Sequence, residues 1–194
     1  MNREAQKIYL IRHGETEWSR AGKHTGLTDV ALTEHGRQTA RLLEPVLARE
    51  KFVAVLSSPL QRARETCELA GMQELAVVEP DLIEWNYGDY EGLTTRQIQS
   101  ARPGWSVFHH GCPGGESPAQ VAARADRVVA KVRASDGSVA LFAHGHILRI
   151  VAARWINLPP SFGENLLLDT ATICVLGYYY ETPAIKMWNA PIAG

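Results

Sequence analysis

Residues 7–18, KIYLIRHGETEW, begin with four apolar residues in five and then turn abruptly polar. Lys7 to Ile11 reads as a buried strand, and it ends on Arg12, His13 and Gly14. Arginine and histidine at the rim of a core lose hydration, so their placement there implies a partner of opposite charge. In an open α/β sheet that rim, beyond the carboxyl ends of the strands, is where ligands bind.

Further β-branched runs occur at FVAVLSS (52–58), LAVVE (75–79), SVALFAH (138–144) and ATICVLGYYY (171–180). Amphipathic stretches lie between them. LTEHGRQTARLLEPVLARE (32–50) has Thr33 as helix cap and Ala40, Leu43 and Leu47 at helical spacing. Gly36, at the third helical position, implies close packing of that helix start. PLQRARETCELAG (59–71) ends on Gly71 as the residue after the helix. A third helix starts with Ser117 as cap and Pro118 at its first position. Strands alternating with such helices predict an α/β fold, a three-layer α/β/α sandwich around a mostly parallel central sheet.

A length of 194 residues fits one domain spanning 1–194. The net charge of −1 provides no global field for nucleic acid or an acidic membrane, so any anion must be held by local charge. Cys67, Cys112 and Cys174 are widely spaced and odd in number, which argues against disulfides and a zinc site; Cys67 and Cys174 read as buried thiols. The apolar run at the N-terminus is too short for a signal peptide, and a cytoplasmic location is the expectation. Residues 102–118, RPGWSVFHHGCPGGESP, combine glycine and proline with aromatics and read as a lid or pocket wall.

Two strand ends carry the same chemistry, His13-Gly14 and His144-Gly145, and a parallel sheet brings both to one edge. The helix after residues 57–58 presents Arg62, and DLIEWNYGDYEG (81–92) presents Glu84. Neutral imidazole is a nucleophile, and guanidinium forks suit phosphate. Arg12 and Arg62 are expected to lower the pKa of His13, leaving it free to attack. Glu84, its own pKa raised, fits a proton donor to the departing alkoxide, and His144 a donor to a phosphoryl oxygen. In HTGLTD (24–29), Thr25 and the backbone amide of Gly26 could cradle an anion. His24, His35, His109 and His110 read as loop or surface residues. His144 and His146 lack accompanying Asp or Cys in a metal-ligand pattern, so no metal or other cofactor is expected.

LIRHGETEW, TGLTDVALTEHG, SSPLQRARET, EWNYGDYEG and FAHGH, in this order, resemble the histidine phosphatase superfamily with its phosphoglycerate-mutase-like fold. The resemblance implies His13 as phosphorylated nucleophile, Arg12, Arg62 and His144 as phosphate pocket, and Glu84 as proton donor. The mutases of that family usually carry Asn at the position of Ser19 and Gly-Asn-Ser in place of Gly145-His146-Ile147. They also have a longer insertion between the acid and the second histidine, which favours a phosphatase over a mutase here. EWNYGDYEGL, HGCPGGE, AHGHILR and LLLDTATICVLGY are most similar to the sedoheptulose-bisphosphatase type of sugar phosphatase, although His110 stands where that type tends to have an acid. Tyr87 would line the sugar site. Arg149, one turn past His146, is placed to hold a second phosphate. The expected activity is therefore hydrolysis of a small phosphate ester, with a sugar phosphate or bisphosphate as the expected substrate, through a phosphohistidine. A phosphoglycerate mutase and a non-catalytic phosphate-binding module are the alternatives. GYYY (177–180) and Trp188 leave core and interface open, and with them a homo-oligomer.

Overall fold

The structure, a computed structural model, describes residues 5–192. Its elements run β1 (Ile8–Arg12), α1 (Glu17–Arg20), α2 (Glu34–Arg41), α3 (Glu44–Leu47), β2 (Phe52–Ser57), α4 (Gln61–Leu69) and β3 (Ala76–Val78). They continue with α5 (Thr95–Ala101), α6 (Val107–His110), α7 (Pro118–Arg133), β4 (Ser138–Ala143), α8 (Gly145–Trp155), β5 (Ile173–Tyr179) and β6 (Thr182–Ala190). The sheet order is β3-β2-β4-β1-β5-β6. The first four of these strands pair in parallel, while β5 and β6 are antiparallel. Among the described residues no helix is long and apolar enough to cross a membrane.

Alternation along the strands divides the core into two layers. Ile8 and Leu10 pack with Val121, Ala125, Ile147 and Val151 from α7 and α8. Ile11, on the opposite face, packs with Leu43, which precedes α3, with Leu47 of α3 and with Cys67 of α4. Helices thus cover both faces, as predicted. The register pairs Arg12 with Ala143, so His13 and His144 leave adjacent strands side by side.

Three elements depart from the expectations. The run at 32–50 breaks into α2 and α3, because Pro45 lacks an N–H and its ring crowds the Arg41 carbonyl. The run at 75–79 pairs only over Ala76–Val78, at a sheet edge where Val77 and Val78 are exposed. β6 was not anticipated: Pro183, Lys186 and Asn189 disrupt its pattern, and its pairing with β5 holds it in place. The predicted caps hold, with Thr33 accepting from the Gly36 amide at 2.9 Å and Ser117 forming a capping box with Gln120. Gly71 adopts a φ of +72°. Tyr178 is buried, Tyr179 and Tyr180 are exposed at the β5–β6 turn, and Trp188 packs partly against the core.

Residues 102–118 form a packed wall. Trp105, Val107 and Phe108 are buried, and the Trp105 indole donates to the Gly111 carbonyl at 2.9 Å.

The start of α2 lies directly on the loop after β1. A Cβ on Gly36 would sit 2.2 Å from the Glu15 carbonyl oxygen, and one on Gly14 would sit 2.5 Å from the Gly36 carbonyl oxygen. Both contacts are backbone, so neither can yield cheaply. Gly36→Ala is therefore expected to destabilise the protein by about 2–4 kcal/mol. Thermal unfolding measures this; a melting temperature equal to that of the wild type would contradict it.

Candidate active site

A cavity of about 270 Å³ opens beyond the ends of β1 and β4, lined by Arg12, His13, Glu84, Tyr87, Gly145 and His146 among others. Ser19, Thr25 and Arg149 border it too. The predicted residues converge, but several bonds differ from expectation.

His13 is buried, with Nδ1 2.7 Å from the Gly14 carbonyl. A carbonyl only accepts, so Nδ1 carries the proton and Nε2 keeps its lone pair. Burial pushes the imidazolium pKa well below its ordinary value, and the Arg62 and Arg12 charges push it further. The expectation of a neutral His13 agrees with this, with desolvation rather than charge as its largest cause. The loop is held on three sides. The Gly14 amide donates to Thr66 at 2.9 Å, the Ala171 amide reaches the Arg12 carbonyl at 3.1 Å, and Gly36 packs beneath.

Arg12 donates through Nη1 to the Leu168 carbonyl. Its Nε is buried and, among the described residues, has no hydrogen-bond partner. A buried, unpartnered guanidinium nitrogen in a residue that lines the cavity leaves positive charge uncompensated there, the strongest structural sign of an anion site here.

Arg62 is fully buried and sits behind that wall. Nη1 donates to the Thr28 carbonyl at 3.0 Å, and Nη2 donates to the Thr25 and Gly26 carbonyls at 3.0 and 2.9 Å. Nε donates to Nδ1 of His144 at 3.1 Å. His144 therefore carries its proton on Nε2, which donates to the Ser58 hydroxyl at 2.7 Å. Its ring centroid lies 5.2 Å from that of His13. The expected donor to a phosphoryl oxygen is, in this geometry, a brace for Arg62, and Ser58 is a member of the site that the sequence reading missed.

Gly26 also departs from expectation. Its amide donates to Glu91 at 2.8 Å, so it is not available to an anion, and only its carbonyl faces Arg62. The Ser19 hydroxyl is tied into a capping box with Thr16, and Thr25 donates to the Lys23 carbonyl.

Glu84 caps α8 from outside. The His146 and Ile147 amides donate to its two oxygens at 3.0 Å each, and the Trp85 amide adds a bond at 2.9 Å. Burial pushes the carboxyl up, but the His146 side chain and the His146 amide outweigh it and hold it well below the carboxylate range. The raised pKa expected for a proton donor is thus corrected: Glu84 is an anion here, because a helix N-terminus favours the charged form.

Tyr87 bonds to Nδ1 of His146 at 2.6 Å. Arg149 donates Nε to the Gly163 carbonyl at 2.8 Å and Nη2 to the Glu164 carbonyl at 2.9 Å, and lies over the Phe108 ring. Most of its hydrogen bonding holds the 160–165 segment, which weakens its case as a second phosphate site.

The sequence places His24 in a loop or at the surface. It is instead buried in the cavity wall, 4.7 Å from the Tyr87 ring and 5.7 Å from the His146 ring. Its surroundings come from distant segments, so no local pattern marks it. His35, His109 and His110 are exposed, as expected.

Comparison with known proteins follows the same chemistry. The chain is 44% identical over 176 residues to an acid phosphatase of Mycobacterium tuberculosis, covering 89% of this chain and 86% of the relative. It is 38% identical over 187 residues to sedoheptulose 1,7-bisphosphatase of Saccharomyces cerevisiae, covering 78% and 68%. The solved structure of the Mycobacterium tuberculosis open reading frame product Rv3214 superimposes with a TM-score of 0.92 at 39% identity, over 97% of this chain and 99% of that one. The model of the histidine phosphatase superfamily, branch 1, matches residues 8–191, and the chain belongs to that superfamily.

Proposed function

We propose that the protein hydrolyses a small phosphate monoester by passing its phosphoryl group to Nε2 of His13 and then to water. The observation that carries this reading is one cavity lined both by His13, whose Nε2 is unprotonated, and by Arg12, whose buried Nε has no hydrogen-bond partner among the described residues. An anion supplies what Arg12 lacks, and a phosphoryl group brings an electrophile to the imidazole.

In this reading Arg12 holds the phosphoryl oxygens directly. Arg62, kept in place by His144 and the 25–28 backbone, adds positive charge from behind. Phosphoryl transfer needs mostly positioning and charge from the protein. Thr25, Ser19 and Gly145 border the phosphate, while Tyr87, His146 and Arg149 border the alcohol. Gly145 has no side chain between Arg12 and Glu84: a Cβ there would lie 3.5 Å from the guanidinium and 3.8 Å from the carboxylate.

Glu84 starts as an anion, so the proton arrives with the substrate. A phosphate monoanion bound by Arg12 passes its proton to Glu84, whose affinity for it rises as the phosphoryl group becomes dianionic. His13 Nε2 then attacks phosphorus, the P–O bond to the alcohol breaks, and the alkoxide takes the proton from Glu84. In the second step water attacks phosphorus as Glu84 takes its proton, the P–Nε2 bond breaks to restore neutral His13, and Glu84 returns the proton to the departing phosphate.

Similarity to the acid phosphatase and the sedoheptulose bisphosphatase supports a phosphorylated metabolite, and the polar cavity suits a sugar phosphate. Brief exposure to ³²P-labelled sugar phosphate is expected to leave an acid-labile, base-stable label on His13. Phosphate release with no such label on the quenched protein would refute the covalent route.

A further inference from the structure

One connector, residues 167–171, joins the phosphate cavity to the edge of the sheet. Leu168 lines the cavity, and its carbonyl accepts from Nη1 of Arg12. Ala171 has a φ of 54°, a conformation uncommon for a residue with a Cβ. That turn aims its amide at the Arg12 and His13 carbonyls, 3.1 and 3.2 Å away. The connector thus holds both the guanidinium and the backbone from which it extends.

The edge strand β6 grips the same connector from its other side. The Trp188 indole donates to the Leu167 carbonyl. The Asn189 side chain meets Asp169 twice, accepting from its amide at 2.8 Å and donating to its carboxylate at 2.9 Å. A β-bulge makes this reach possible. Ile173 pairs with Ala190 and Val175 with Met187, so Trp188 and Asn189 together oppose Cys174. Asn189 takes up the extra length at a φ of 52°, in the left-handed region that asparagine enters more readily than most residues. Bulges beside ligand sites often re-aim a side chain in this way.

The Asp169 amide and the Leu168 carbonyl belong to one planar peptide group. Asn189 holds its N–H end and Arg12 donates to its C=O end. Rotation of that peptide would break both bonds at once. Linked hydrogen bonds also polarise one another, which makes the carbonyl a better acceptor.

We infer that Asn189, through this single peptide group, fixes the Arg12 guanidinium by Nη1 and leaves Nε for the phosphoryl group. The inference rests on the hydrolytic reading above and adds a residue to it. Asn189 acts through Arg12 and is a positioning residue.

Asn189→Gly keeps the left-handed backbone and removes only the side chain. Calorimetry with inorganic phosphate is expected to show binding weakened about fivefold, the size of one lost hydrogen bond. The kcat/KM for p-nitrophenyl phosphate is expected to fall by a similar factor. In an Arg12→Ala background the same substitution should change that kcat/KM less than about twofold, because no guanidinium is left to orient. A purely structural role would lower it equally in both backgrounds. If the wild type neither binds phosphate nor hydrolyses the ester, the hydrolytic reading falls and the inference falls with it. If the wild type is active and Asn189→Gly matches it within about twofold in both measurements, the inference alone is overturned. An equal loss with and without Arg12 overturns it as well.

Discussion

His13→Ala is expected to lower phosphate release from every substrate by at least ~10⁴-fold, because it removes the only proposed nucleophile. The fold should survive. The lost contact is one neutral hydrogen bond to the Gly14 carbonyl, worth about 1 kcal/mol, and the space lies beside an existing cavity. Arg12 and Arg62 remain in the variant, so inorganic phosphate should still bind with an affinity within a few-fold of the wild type. Retained binding with lost turnover separates a missing nucleophile from a collapsed site. Turnover above a hundredth of the wild-type rate would rule out His13 as the phosphoryl acceptor.

Glu84→Gln is expected to lower kcat on a sugar phosphate about 10²–10⁴-fold, the usual contribution of a positioned proton donor. The first transfer from an aryl phosphate should suffer far less, since a phenolate departs without needing that proton. The sign of the pH dependence follows from the depressed carboxyl. A carboxyl held below its usual range is ionised in the unbound protein from about pH 5 upward, so the proton enters on the ester monoanion. That monoanion loses its proton with a pKa of about 6, so kcat/KM for alkyl esters should fall about tenfold per pH unit above that point. A flat profile from pH 6 to 8 would show that the proton comes from elsewhere.

The convergence of His13 and His144 was legible because it needs only two parallel strands with polar carboxyl ends. Arg62 was legible because it follows a third strand end into its helix. Other features depend on segments far apart in sequence. His24 is buried by Tyr87, Trp105 and His146, none of them its neighbours in the chain. The charge of Glu84 depends on the amides of α8, sixty-odd residues later, which meet it only once the helix is docked. Gly26 looked available to an anion because the competing acceptor, Glu91, lies beyond any local window. β6 escaped notice because an edge strand holding Pro183 and Lys186 has little apolar alternation, and partner β5 defines it.

The facing backbones of Gly14 and Gly36 have a wider implication. Side chains at most packing contacts can change rotamer and absorb small movements, but nothing here can flex in that way. Displacement of α2 would pass undamped to the imidazole beside it. Sequence drift on the outer face of that helix would then surface as altered turnover in a protein that still looks fully folded.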